Sequence, residues 1–98
     1  GADIEKLFRP ETRLVFTEAP GSLTFEMEDI PAVAEAAHRH GCITVMDNTW
    51  ASPLFFRALE KGVDISVQAA TKYISIPILC WASSRPGRGN CMSASRSA

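Results

Sequence analysis

Cysteine is scarce in this 98-residue chain: Cys42, Cys80 and Cys91 are an odd number and no two are spaced C-x-x-C. A disulfide framework and a cysteine-rich zinc site are therefore not expected, no metal site is read, and a reducing cytosol is the natural home. An excess of either charge is missing too, with 10 Lys+Arg against 11 Asp+Glu and a formal net charge of −1. That balance removes the electrostatic case for a nucleic-acid binder or a membrane-surface protein. No apolar run approaches the roughly 18 residues of a membrane span. Gly1-Ala2-Asp3 opens no basic-then-apolar secretory signal. There is no internal repeat. The length allows one small domain, and a hydrophobic share of 46% fits a globular core better than a disordered chain. The first residue is Gly rather than Met, so a piece of something longer is expected.

What charge there is falls unevenly. Residues 1–74 hold 7 Lys+Arg and 11 Asp+Glu, a net −4, whereas 75–98 hold Arg85, Arg88 and Arg96 with no acid, a net +3. The second stretch also holds six serines and two glycines. Such a composition cannot bury enough apolar surface to offset its chain entropy, so a boundary is placed near Ser75, with a folded 1–74 and a disordered tail over 75–98. Three arginines without interleaved aromatics read as a solvated tail rather than an RNA contact.

The front segment alternates element types. Ile4, Leu7 and Phe8 lie at helical spacing and Pro10 stops that turn. Leu14-Val15-Phe16 is a short strand ended by Ala19-Pro20-Gly21-Ser22. From Asp29 to His40 a helix presents Ile30, Val33, Ala34 and Ala37, with Pro31 in its first turn and Gly41 at its stop. Ile43–Met46 reads as a buried strand. Ser52-Pro53 opens a helix through Leu54, Phe55, Ala58 and Leu59 to Gly62, and Ile65-Ser66-Val67 is the third strand. Strands separated by helices call for right-handed crossovers and an α/β fold with a mainly parallel, helix-covered sheet.

In such sheets ligands gather outside the carboxyl ends of the strands. Those ends run into Glu18–Ser22, Asp47–Trp50 and Ala70–Tyr73, which puts Asp47 and Lys72 within reach of one pocket. An aldehyde cofactor on a pyridine ring needs such a pair. A desolvated lysine amine forms the Schiff base, and a carboxylate keeps the ring nitrogen protonated so that the ring accepts electrons. Taken alone, Asp47 and Lys72 are more readily a structural ion pair or two solvated loop residues.

The surrounding strings are more specific. Glu18-Ala19-Pro20-Gly21-Ser22-Leu23-Thr24-Phe25-Glu26, Val45-Met46-Asp47-Asn48-Thr49-Trp50 and Gln68-Ala69-Ala70-Thr71-Lys72-Tyr73 resemble, in order and spacing, the trans-sulfuration family of pyridoxal-phosphate enzymes of cysteine and methionine metabolism. Within it, the P-G-S-L-T-F-E stretch, Trp50 after D-N-T and Q-A-A-T-K-Y look most like the cystathionine β-lyase branch; synthases and γ-lyases usually carry another aromatic after D-N-T and a serine where Ala69 stands. The resemblance covers residues 1–74. It implies a fragment of the large domain of a fold-type I enzyme, with pyridoxal 5′-phosphate as cofactor and a sulfur amino acid as substrate. The parent would be a cytoplasmic homotetramer with no nucleic-acid or membrane partner. It also implies roles: Lys72 as Schiff-base lysine and as the base at the substrate Cα, Asp47 as partner of the pyridine nitrogen, and Thr71 as a hydroxyl donor to the phosphate. Ser22 stands where many members carry an asparagine near the ring 3-oxygen. The implied reaction is α,β-elimination of L-cystathionine to homocysteine, pyruvate and ammonia, with γ-synthase and γ-lyase chemistry the alternatives within the family. Asn48, Thr49 and Trp50 are read as shaping the loop.

Other landmarks take plain readings. His38 and His40 are surface residues of a helix end rather than a metal pair. Cys42 and Met46 are core packing. Asp47-Asn48-Thr49 lacks the second carboxylate that a phosphotransferase aspartate wants.

After T-K-Y the family continues with two residues and G-H-S-D, whereas this chain has Ile74-Ser75-Ile76-Pro77-Ile78-Leu79-Cys80-Trp81-Ala82. Permitted codons from Ser75, read one base earlier, spell H-S-D-I-M-L-G, and Cys80-Trp81-Ala82 forces the last Leu-Gly. Residues 76–98 are therefore expected to arise from a frame turned by a lost stretch of four bases or an equivalent sequencing error. The fragment lacks the family's upstream phosphate loop and stacking tyrosine, its downstream carboxylate-binding arginine and the partner subunit's groups. The chain alone is expected to bind cofactor weakly and not to turn over. A decayed, non-enzymatic piece, or a short interaction protein whose basic tail contacts acids, is the competing reading.

Overall fold

A computed structural model describes residues 3–73, 78–83 and 94–95. Three strands pair in parallel and in chain order: β1 (Leu14–Glu18), β2 (Ile43–Asp47) and β3 (Ile65–Ala69), with Phe16 opposite Val45 and Val45 opposite Ile65. β4 (Ile78–Ser83) runs antiparallel beside β3, and β5 (Ala94–Ser95) antiparallel beside β4, so the five-stranded order is β1-β2-β3-β4-β5. The parallel α/β expectation thus describes β1 to β3. Within the tail read as disordered, Ile78–Ser83 and Ala94–Ser95 are strands on the edge of the same sheet. The rest of that tail, Cys91, Arg85, Arg88 and Arg96 included, lies outside the described residues.

α1 (Ile30–Arg39) crosses from β1 to β2. The Asp29 carboxylate accepts the Ala32 N–H at 3.2 Å, capping donors that the first turn leaves free. Gly41, at φ +70°, ends the helix in the left-handed region. The buried face is Ile30, Val33, Ala34, Ala36 and Ala37. Its alanines let the helix lie close, and a Cβ on Gly62 would meet that of Ala34 at 3.4 Å. The hydrophobic cluster on this side is Ala19, Ile30, Met46, Ala58 and Val63, with Phe56 packed against it. Side chains alternate across a strand, so Leu14 and Phe16 point to the opposite face, where they are 53% and 60% exposed.

The second crossover departs from the single helix expected between Ser52 and Gly62. It breaks into α2 (Ser52–Phe55) and a 3₁₀ turn at Ala58–Lys61, with Phe56 extended at φ −137°, ψ 107°. The break has a cause: the Phe56 carbonyl turns inward to accept the Asn48 side-chain N–H at 2.8 Å while its ring packs on the core. Leu54 and Phe55, the apolar residues of α2, are exposed.

At the amino-terminal end of the sheet the two histidines are exposed and each meets a carboxylate. The His38 Nε2 lies 2.8 Å from Asp64, and His40, stacked on Phe8 at 4.2 Å between ring centres, meets Glu5 at 2.7 Å. Arg39 donates to the same Glu5. Cys42 and Met46 are buried. Among the described residues no helix is long and apolar enough to cross a membrane, and no cluster of His, Cys, Asp or Glu could hold a metal.

Candidate active site

Parallel pairing brings Glu18, Asp47 and Val67 level at one end of the sheet, so the loops after β1, β2 and β3 share a rim. Asp47 closes β2 and is partly buried. One of its oxygens, Oδ1, accepts the Thr49 N–H at 3.0 Å and the Thr49 hydroxyl at 2.5 Å, a side-chain turn of the kind aspartate forms with the residue two ahead. The other oxygen carries no hydrogen bond among the described residues.

Thr49 faces two ways. Its hydroxyl donates to Asp47 and accepts the Ala69 N–H, at the end of β3, at 2.9 Å. Beyond Ala69 a 3₁₀ turn, Ala70–Lys72, presents Thr71 and Lys72 to solvent. Tyr73 closes the turn and shares its phenol proton between the carbonyls of Thr49 (2.5 Å) and Trp50 (2.9 Å). Thr49, Trp50, Lys72 and Tyr73 line a cleft of about 320 Å³.

Asn48 points the other way and is fully buried. Its backbone N–H donates to Val67 at 2.8 Å, its carbonyl accepts from Ser52 at 2.9 Å, and its side-chain amide holds the Phe56 carbonyl. Its Oδ1 has no partner among the described residues. D-N-T is therefore an outward acid, an inward anchor and a bridging hydroxyl in consecutive positions.

The four sequence-predicted site residues do not all meet. Lys72 lines the cleft; Asp47 does not, and is joined to its wall through the Thr49 hydroxyl; Thr71 is exposed on the same turn as Lys72 and does not line the cleft. Ser22 is exposed and donates to Glu18 at 2.9 Å, and it does not line the cleft. The loop after β1 reaches the site through Phe25, whose ring meets Trp50 edge-on at 5.7 Å between ring centres. Sequence reasoning missed Tyr73. The signal available for it was a hydroxyl-bearing aromatic directly after the lysine.

Residues 1–75 match the family model described as Cys/Met metabolism PLP-dependent enzyme. The chain belongs to that family. A Rhizobium johnstonii protein provisionally named cystathionine β-lyase is 65% identical over 75 residues, covering 76% of this chain and 19% of its own length. Cystathionine β-lyase MetC of Escherichia coli is 49% identical over 76 residues, again 76% of this chain and 19% of that protein. The crystal structure of cystathionine γ-lyase from Lactobacillus plantarum, complexed with L-serine, superposes with a TM-score of 0.69 at 34% identity, covering 71% of this chain and 18% of that one. This fold is thus a small α/β piece shared with a pyridoxal-phosphate lyase. The chain spans about a fifth of the length of the relatives it matches.

Proposed function

We propose that the chain is a piece of a pyridoxal-phosphate-dependent carbon–sulfur lyase of the cystathionine β-lyase kind. The whole enzyme would cleave L-cystathionine to homocysteine, pyruvate and ammonia. The observation that supports this most is the Thr49 hydroxyl, which joins the Asp47 carboxylate to the β3 end that carries Lys72. The β-lyase names of the two curated relatives favour this branch over the γ-lyase of the structural neighbour.

The donor set fits the cofactor. An anion with one oxygen left open suits a protonated ring nitrogen, a primary amine suits the aldehyde although Lys72 is exposed here rather than desolvated, and a neighbouring hydroxyl suits a phosphate oxygen. Asp47 would hold the ring nitrogen, Lys72 the aldehyde carbon and Thr71 the phosphate. When bound, pyridoxal phosphate supplies the electron sink for negative charge at the substrate Cα. Lys72 would then move the proton at that carbon, while Thr49 keeps the Asp47 carboxylate aimed and Trp50 and Tyr73 wall the cleft. Ser22 would have to give up its bond to Glu18 to reach a cofactor. We take residues 1–74 as the family part and 75–98 as a non-family tail, and expect no turnover from this chain alone, since a fifth of an enzyme supplies too little of the surrounding shell.

The chain has three lysines, Lys6, Lys61 and Lys72, which makes the test internal. Pyridoxal phosphate is titrated into the 98-residue chain, borohydride fixes whatever is bound, and peptide mass spectrometry reads each lysine. Label gathering at Lys72 at concentrations that leave Lys6 and Lys61 clear is expected. Equal labelling of all three refutes the site.

A further inference from the structure

Two hydrogen bonds from opposite ends of the stretch 69–73 converge on one residue. The Ala69 N–H reaches the Thr49 hydroxyl at 2.9 Å, and the Tyr73 phenol reaches the Thr49 carbonyl at 2.5 Å. Between them the turn is closed by the Tyr73 N–H on the Ala70 carbonyl at 3.1 Å. Lys72 therefore sits in a ring of chain whose two ends are fastened to Thr49, the residue that also holds Asp47. Burial fixes only the start of this turn: Ala70 is buried, whereas Thr71, Lys72 and Tyr73 are exposed. A ring 55% exposed is not held by packing, and the phenol proton is what ties Tyr73 to the D-N-T-W loop.

We propose, resting on the function proposed above, that Tyr73 is a positioning residue for Lys72: its phenol bolts the lysine-bearing turn to the Thr49 and Trp50 carbonyls and so sets where the amine stands relative to Asp47. It touches neither substrate nor cofactor in this role and acts through the backbone of the turn.

The test uses the full 98-residue chain in four forms: the parent sequence, Tyr73→Phe, Thr49→Val and Thr49→Ser. The first readout needs no cofactor. Amide hydrogen exchange at position 73 is expected to rise about fivefold in Tyr73→Phe, the equivalent of one ordinary hydrogen bond, with the amides of β2 unchanged. Thr49→Val should release the Ala69 amide by a similar factor, and Thr49→Ser, which keeps the hydroxyl, should restore it. Unchanged exchange at position 73 in Tyr73→Phe overturns the proposal. The second readout is the preference of the borohydride-fixed label for Lys72 over Lys6 and Lys61, expected to fall several-fold in Tyr73→Phe as the amine loses its set position. A variant that exchanges faster but labels with undiminished preference also overturns it, because the phenol would then hold the turn and not the lysine. If the parent chain shows no preference at all, the functional proposal fails, and the exchange data alone decide whether Tyr73 holds the turn. Should Thr49→Val not fold, Tyr73→Phe and Thr49→Ser carry both readouts.

Discussion

Asn48 sits between the two residues that carry the site's chemistry, and its replacement separates two contributions of that position. Asn48→Ala removes the 2.8 Å bond to the Phe56 carbonyl, a loss of about 1 kcal/mol, and leaves that carbonyl with the Ala58 N–H at 3.0 Å. It also removes Oδ1, a buried acceptor with no partner among the described residues, which returns part of the cost. A net loss of about 1 kcal/mol or less is expected. Asn48→Asp keeps the shape but replaces a donor with a carboxylate facing a carbonyl in a fully buried position, at a cost of about 3 kcal/mol or more. For a small chain, stability is about 5 kcal/mol at the low end, so Asn48→Asp should keep about 2 kcal/mol near neutral pH and melt at roughly two-fifths of the parent's urea midpoint. The two variants also part in their response to acid. Burial raises the pKa of a carboxyl at position 48 above its unfolded value, so its stabilising contribution is present below the unfolded pKa and is lost as pH rises. The protonated carboxyl can donate to Phe56 as the amide did. Urea melts followed by far-ultraviolet circular dichroism at pH 7 and pH 4 should show the gap between the two variants narrowing in acid. A gap near zero at pH 7, or one independent of pH, would mean that water reaches Asn48 and that its inward anchoring is not what orders the loop.

Asp64 offers a second pH test. Burial pushes its carboxyl up, but the Thr44 backbone N–H, the His38 ring and the Thr44 hydroxyl together outweigh burial and hold it below the ordinary range. A depressed carboxyl contributes stability that is full above its unfolded pKa of about 3.9 and is lost as pH falls through the folded value. Asp64→Asn should therefore cost about 1–2 kcal/mol in urea melts at pH 7 and progressively less below pH 4; a constant cost contradicts the assignment. The substrate class is tested by grafting residues 1–74 into Escherichia coli cystathionine β-lyase MetC in place of the 76-residue stretch they match. Pyruvate release from L-cystathionine within about tenfold of the parent enzyme is expected, and it should disappear with Lys72→Ala. A shift to 2-oxobutyrate, the product of γ-elimination, would move the chain to the other branch.

Much of the fold was legible because its signals are local. Asp29 with Pro31 marks a helix start whatever lies around it, and Gly41 its stop. The apolar runs at Leu14, Ile43 and Ile65, set apart by helices, dictate parallel pairing, since two-residue turns cannot join parallel strands. The helix from Ser52 to Gly62 was misread for a long-range reason. Its periodicity is sound, but a buried Asn48 draws the Phe56 carbonyl inward, where it accepts the Asn48 amide and the Ala58 N–H, while the Glu60 N–H that a continuous helix would give it goes to Arg57. Periodicity weighs side chains by face and is blind to a single amide that needs an acceptor.

The site was legible as residue types and illegible as a junction. An acid at one strand end and a lysine at another follow from where strands stop, and the D-N-T and T-K-Y strings single them out. What joins them is a threonine hydroxyl that donates to Asp47 on its own strand's loop while accepting from Ala69 on the next, and a tyrosine that returns to the same residue from beyond the lysine. Neither partner is near the other in sequence: Thr49 and Tyr73 lie 24 residues apart. Ser22 illustrates the converse. Its place in a string says nothing of Glu18, four residues before it, which accepts its hydroxyl at 2.9 Å. A resemblance between strings carries over which side chains are present, and local hydrogen bonding then decides which of them face the same space. In this chain that decision runs through Thr49, so the spacing between acid and amine depends on a residue that was read as loop architecture.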